Sequence, residues 1–218
     1  MGPIGRVELI VNEHPDYLSP ERVALNSSLR ERLERASGLP VQVTHYLEVG
    51  SRLRTSIAMV LSGSVAPWST YEPSSLARLR EYVEDTEVPT LGICAGMQLL
   101  AQFAGGDIAP APEAEFGYHK VEIVRAESIL AGLPPTSTMY QQHTDHVASL
   151  PAEFEVIARN GVCVQALASK SRLWWGTQFH PERANEKHPD GARILDNFFD
   201  MALANVDAER HSQQSEQG

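Results

Sequence analysis

Residues 88–103 constrain the fold of this chain more than any other stretch. An apolar run over 88–93 has the length and character of a buried strand. Cys94 ends it, and residues 97–103 at once take up a helical spacing of apolar side chains. Gly92 and Gly96 stand on either side of the thiol. A G-x-C-x-G frame is the cysteine counterpart of a nucleophile elbow, in which small flanking residues permit a sharp strand-to-helix turn with one reactive side chain at its tip. A thiol at a helix N-terminus also feels the positive end of the helix dipole, which favours the thiolate. A lone cysteine reads equally as a core residue, since free cysteine is among the most buried residue types. A base must decide between the two.

That base stands downstream, in Trp174-Trp175-Gly176-Thr177-Gln178-Phe179-His180-Pro181-Glu182. Residues 173–179 are short and rich in aromatics and predict a strand. Pro181 biases His180 toward an extended backbone. Side chains two apart in an extended segment share a face, so His180 and Glu182 are expected to point the same way. This suits a base and its orienting carboxylate: the imidazole takes the thiol proton, and Glu182 fixes its tautomer.

The rest of the chain supplies a frame for these residues. Residues 6–11, 41–47 and 57–62 predict strands, and 20–38 a helix with Ser19 as N-cap and Pro20 at its first position. A second helix is expected over 74–86, capped by Ser74 or Ser75. Strands alternating with helices imply an α/β fold with a parallel sheet covered on both faces, and a site outside the strand C-terminal ends. Beyond Gly105 the pattern changes. Residues 107–114, with Pro110 and Pro112, read as a loop, and 115–123 as the start of a small antiparallel portion. Short strands follow near 154–158 and 163–166, around an Asn160-Gly161 turn. Cys163 lies in the second of these and reads as structural. A last helix is expected over 190–203, closing a single domain at 1–206, with the polar run 207–218 as a disordered tail.

With both motifs in hand, the chain resembles the class I (triad) glutamine amidotransferases. Gly92-Ile93-Cys94-Ala95-Gly96-Met97-Gln98 is similar to their nucleophile motif and Phe179-His180-Pro181-Glu182 to their base motif, and the resemblance runs from about Arg6 to about Ala204. It implies a flavodoxin-like three-layer α/β/α domain in which Cys94 attacks the side-chain amide of glutamine, giving a thioester and ammonia. It also implies an oxyanion hole from the N–H groups of Gly63 and Ala95. The family turn is usually Ser-Gly-Gly-Pro, whereas here Ser64 and Val65 stand in place of the second Gly and the Pro. His143 and Asp145, in Gln142-His143-Thr144-Asp145-His146-Val147, match a Ser-His-Gly-Asp loop that borders the glutamine site in the glutaminase part of GMP synthetases. By that carry-over, Asp145 pairs with the substrate ammonium and Gln98 hydrogen-bonds the glutamine. A metal reading of His143, Asp145 and His146 lacks further ligands at matching spacing, so neither metal nor cofactor is expected.

The net charge of −10 argues against nucleic acid or an acidic membrane surface as partner. Two cysteines make no disulfide framework and fit a reducing cytoplasm, and no apolar run reaches the length of a membrane span. The chain carries no G-x-x-x-x-G-K-[ST] phosphate loop. The acceptor of the ammonia is therefore expected on a separate synthetase subunit. Three other readings remain open at this point: an amidotransferase of another, specialised-metabolite pathway; a γ-glutamyl hydrolase or cysteine peptidase on the same fold; and a non-catalytic binder.

Overall fold

The computed structural model describes residues 5–50 and 56–215. Among these residues nine strands form one sheet, β1 (Arg6–Val11), β2 (Val41–His45), β3 (Ser56–Leu61), β4 (Thr90–Ile93), β5 (Asp107–Ile123), β6 (Thr136–Ser149), β7 (Phe154–Arg159), β8 (Val164–Ser169) and β9 (Trp174–Thr177), in the order β2-β1-β3-β4-β9-β8-β7-β5-β6. The pairs from β2 to β9 are parallel, and those from β9 to β6 antiparallel. The α/β expectation holds, with an antiparallel portion larger than the sequence suggested.

Among the described residues the sheet is covered by α1 (Pro20–Ser37), α2 (Pro73–Glu84), α3 (Ala95–Phe103) and α4 (Asp190–Ser215). One core joins Leu29 and Leu33 of α1 and Ile194, Phe198 and Phe199 of α4 to Leu9, Val60, Leu91 and Ile93 of the sheet. A second core, on the other face, joins Leu79 and Val83 of α2 and Leu99 and Leu100 of α3 to Ile10, Met59 and Leu61. Burying one such side chain contributes about 1.5–3 kcal/mol, so the helices are clamped to both faces and the strand ends between them are rigid. Ser19 caps α1 by accepting the Arg22 N–H, and Gly38 ends the helix at φ +66.

Several expected boundaries move. Residues 107–114 belong to β5 and are not a loop. The register against β6 shifts between Pro110, which still pairs with Asp145, and Glu115, so Pro112 sits where the ladder is broken and Pro110 at its margin. The segment carrying His143 and Asp145 lies within β6 and is not a loop, paired with β5 over most of its length. Neither Ser74 nor Ser75 caps α2, because Pro73 already occupies the first turn and Glu72 the cap position, with no side-chain cap bond. The last helix runs through Ser215 and does not stop near Leu203 or Asp207. Its distal residues include Ala208, Glu209, Arg210, Gln213 and Gln214 and no Gly or Pro, a composition compatible with helix. Residues 216–218 of the expected tail lie outside the described residues. Among the described residues, no helix is long and apolar enough to cross a membrane.

Candidate active site

The C-terminal ends of β3, β4 and β9 converge on Cys94. β4 hands directly to α3, and Cys94 between them takes φ +52, ψ −109, a conformation rare for a residue with a side chain. The flanking glycines are sterically required. A Cβ on Gly92 would lie 2.5 Å from the Gly96 carbonyl carbon and oxygen, and one on Gly96 would fall on the Leu61 carbonyl oxygen. The chain can thus turn sharply enough to project the thiol at the mouth of α3, as the elbow pattern predicts. The Cys94 N–H donates to the Thr177 carbonyl at 2.7 Å, which ties the elbow to β9.

His180 reaches this point from the end of β9. Its own N–H donates to the Tyr140 carbonyl at 2.8 Å, and its Nδ1 lies 2.7 Å from Glu182 Oε1. The pairing arises differently from the sequence argument. Pro181–Arg183 forms a 3-10 turn, and the turn, not strand alternation, brings the carboxylate back under the ring. Both side chains are largely buried. Burial opposes the imidazolium, but the Glu182 charge, the Cys94 thiol and the Glu182 hydrogen bond outweigh it and push His180 up to about 10. Gly63, just past β3, closes the third side: a Cβ there would stand 3.2 Å from His180 Cε1 and 3.4 Å from Cys94 Cβ. Ala95 is the first residue of α3, so its N–H is among those a helix leaves without an internal partner.

A cavity of about 420 Å³ opens over the thiol, lined by Cys94, Ala95, Gln98, His143, Asp145 and Trp68 among others. Of the residues singled out from the sequence, Cys94, Ala95, Gln98, His143 and Asp145 line this cavity, while Gly63, His180 and Glu182 line a neighbouring one of about 210 Å³ that shares Gln142 with it, and not all serve in the expected capacity. Both amide hydrogens of Gln98 are committed within the protein, to the Asp145 carbonyl at 2.8 Å and to Gln178 Oε1 at 3.0 Å. Asp145 is half-buried at the cavity wall. The His143 ring turns to Glu115, with Nε2 3.1 Å from Oε2, and burial holds its pKa below the usual imidazole value despite the carboxylate.

Two further residues were not anticipated. Gln178 is fully buried and directs its Nε2 at Cys94 Sγ, 3.6 Å away. The sole sequence signal was its position two residues before His180. Glu115 is a buried carboxylate that accepts from Asn160 Nδ2 at 2.6 Å and Gln165 Nε2 at 2.9 Å. Glu115, His143 and Cys163 present oxygen, nitrogen and sulfur atoms within 4.8 Å of one another, the spacing of a metal-ligand set. Glu115 also takes amide hydrogens from Asn160 and Gln165, while His143 Nδ1 is buried without a partner among the described residues. Burial, aided by the Glu115 charge, pushes the Cys163 thiol up to about 12, where it stays protonated.

Residues 27–202 match the family model for glutamine amidotransferase class-I. The chain belongs to that family. It is 38% identical over 141 residues to the glutamine-hydrolysing GMP synthase of Vibrio atlanticus, a match covering 64% of this chain and 26% of that protein. It is 39% identical over 122 residues to a glutamine-hydrolysing GMP synthase subunit of Pyrococcus furiosus, covering 56% of this chain and 64% of the relative. The crystal structure of a Thermoplasma acidophilum protein, described as one subunit of a GMP synthase, superposes with a TM-score of 0.82 at 28% identity, over 96% of this chain and all of that one. The matched region thus spans about a quarter of the Vibrio protein and just under two thirds of the Pyrococcus one.

Proposed function

We propose that this chain is a glutaminase subunit that splits L-glutamine into glutamate and ammonia and passes the ammonia to a synthetase on a separate polypeptide, in the manner of a GMP synthase. The observation that carries the reading is Cys94 on a strained elbow at the wall of a cavity, with the His180–Glu182 pair beside it. Similarity to a Pyrococcus protein named as one subunit of a GMP synthase supports a two-chain arrangement.

In this reading Cys94 Sγ attacks the amide carbon of glutamine, and its proton resides on His180. The oxygen that becomes negative faces the N–H groups of Gly63 and Ala95, which stabilise charge present in the transition state and absent in the ground state. His180 gives its proton to the departing nitrogen, ammonia leaves, and a thioester remains. Water then attacks the thioester with His180 as base, and glutamate is released. Glu182 holds the ring through its contact with Nδ1. In this reading Asp145, half-buried at the cavity wall, pairs with the substrate ammonium. Exposed Phe116 and Val65 ring the cavity and offer a partner apolar contact where ammonia would change hands. Two thiols not bonded to each other suit a reducing cytoplasm.

The test is glutamate release from L-glutamine by the purified chain, beside γ-glutamyl peptides as competing substrates. Slow turnover of glutamine that vanishes in Cys94→Ala is expected. Turnover of γ-glutamyl peptides with glutamine untouched would move the chain to the hydrolases.

A further inference from the structure

The turn that carries Gly63 lacks the family's Gly-Pro pair, yet it is held from both sides by the end of β1. On the near side, Asn12 donates from its backbone N–H to Ser62 Oγ at 3.0 Å and from Nδ2 to the Ser62 carbonyl at 2.7 Å. On the far side stands Glu13, whose side chain is 1% exposed. Its Oε1 accepts from Ser64 Oγ at 2.6 Å and from the Val65 and Ala66 N–H groups, each at 3.2 Å. Its Oε2 accepts from the Val65 N–H at 3.1 Å and from Arg22 Nε at 2.9 Å.

A buried carboxylate is costly unless its oxygens are filled and its charge is matched, and here donors from the turn and the Arg22 guanidinium do both. The two residues that depart from the family pattern are the ones this carboxylate uses. A glycine in place of Ser64 would have no hydroxyl to donate, and a proline in place of Val65 would have no N–H. The Ser-Val sequence and Glu13 therefore act as one unit.

We propose that Glu13 is a positioning residue for glutamine hydrolysis, acting through the 63–66 turn to hold the Gly63 N–H where the oxyanion forms. The proposal rests on the glutaminase reading given above. Cys94, His180 and Glu182 do not touch Glu13. Removing it should therefore harm only the step that needs the oxyanion site, and leave the thiol's own reactivity alone.

Glu13→Gln and Glu13→Ala test this by two rates measured on the same protein. Iodoacetamide alkylation of Cys94 requires the thiol–imidazole pair and no oxyanion hole, whereas glutamine hydrolysis requires both. Loss of a single oxyanion donor costs about 10²–10³ in kcat, so loosening its turn is expected to cost roughly 10- to 100-fold. KM should stay within about threefold and the alkylation rate within about twofold, with the smaller loss in Glu13→Gln, which keeps one acceptor oxygen. Backbone amide exchange over 62–67 should quicken while β4 and β9 keep their protection. A folded Glu13→Gln protein with the wild-type kcat, or alkylation that falls in step with hydrolysis, would overturn the proposal. Should the wild type be alkylated at Cys94 yet release no glutamate, the glutaminase reading fails, and unchanged amide exchange in the variants would then sink the clamp as well.

Discussion

Gln178 bridges the Cys94 thiol and the Gln98 amide: its Nε2 points at Sγ from 3.6 Å, while its Oε1 accepts Gln98 Nε2 at 3.0 Å. Gln98 in turn donates to the Asp145 carbonyl on β6 at 2.8 Å. An N–H aimed at sulfur binds more strongly where negative charge gathers, because hydrogen bonds to a charged group are worth more than those to a neutral one. The pair of amides thus links the nucleophile to the antiparallel half of the sheet.

Gln178→Leu removes that donor and leaves a buried Gln98 hydrogen without its acceptor. Alkylation of Cys94 by iodoacetamide at neutral pH should slow by about tenfold, the equivalent of about 1.4 kcal/mol. Gln98→Ala should slow it less, and should lower kcat as well as raising KM, since its hydrogens serve the protein's own acceptors. A wild-type alkylation rate in Gln178→Leu would show that the contact does not activate the thiol.

The two thiols should behave differently toward a glutamine-like diazoketone. Cys163 is held protonated by burial and by Glu115, whereas Cys94 lies in the cavity beside its base. Peptide mapping should place the label on Cys94, and Cys163→Ser should leave the labelling rate unchanged. His180→Ala should slow labelling by at least about tenfold. Label recovered on Cys163 would contradict this assignment.

His180 is pushed up to about 10 from a usual value near 6.5, against its burial and chiefly by Glu182. The folded protein therefore binds a proton that the unfolded chain releases between those two values. The stabilisation from the charged pair is complete below pH 6.5 and is lost as pH rises through about 10. Denaturant midpoints should fall with rising pH across this window in the wild type. In Glu182→Gln the largest upward influence is gone while burial remains, so the dependence over this window should flatten. An equally steep decline in both proteins would assign it to other groups.

Much of this site was legible because its residues are adjacent in sequence. The elbow lies within Gly92-Ile93-Cys94-Ala95-Gly96, and the glycines carry a steric requirement that spacing alone reveals. His180 and Glu182 were paired correctly from a two-residue spacing, although a 3-10 turn and not an extended strand produces the contact. What the sequence hid depends on pairings made across the sheet. Pro110 and Pro112 signal a loop locally, but pairing with β6 around a register shift keeps them in a strand. His143 resembled a loop residue at the substrate's edge. Its partner Glu115 lies on β5, and only the β5–β6 pairing, which sets Glu115 opposite His143, brings the two together. Glu13 gave no motif at all, because its meaning comes from amides and a hydroxyl more than fifty residues away in the chain.

Ammonia release and acceptor chemistry should separate at Cys94. If, as proposed, Cys94 acts only in freeing ammonia for a separate synthetase, Cys94→Ala should abolish glutamine-dependent product formation by a complex with that synthetase. An alanine in place of the buried cysteine is slightly smaller and nearly isosteric in the backbone-facing half of the side chain, so the sheet and its surface should persist. Product made from ammonium chloride at high concentration should therefore stay within about twofold of the wild-type complex, while the glutamine-dependent rate drops by on the order of 10³ or more, as expected for loss of a covalent nucleophile. Both rates are read from one preparation, by supplying either nitrogen source to the same complex. If the ammonia-dependent rate also collapsed while the complex stayed assembled by gel filtration, Cys94 would have to take part in the acceptor reaction, and the division of labour between the two polypeptides would be wrong.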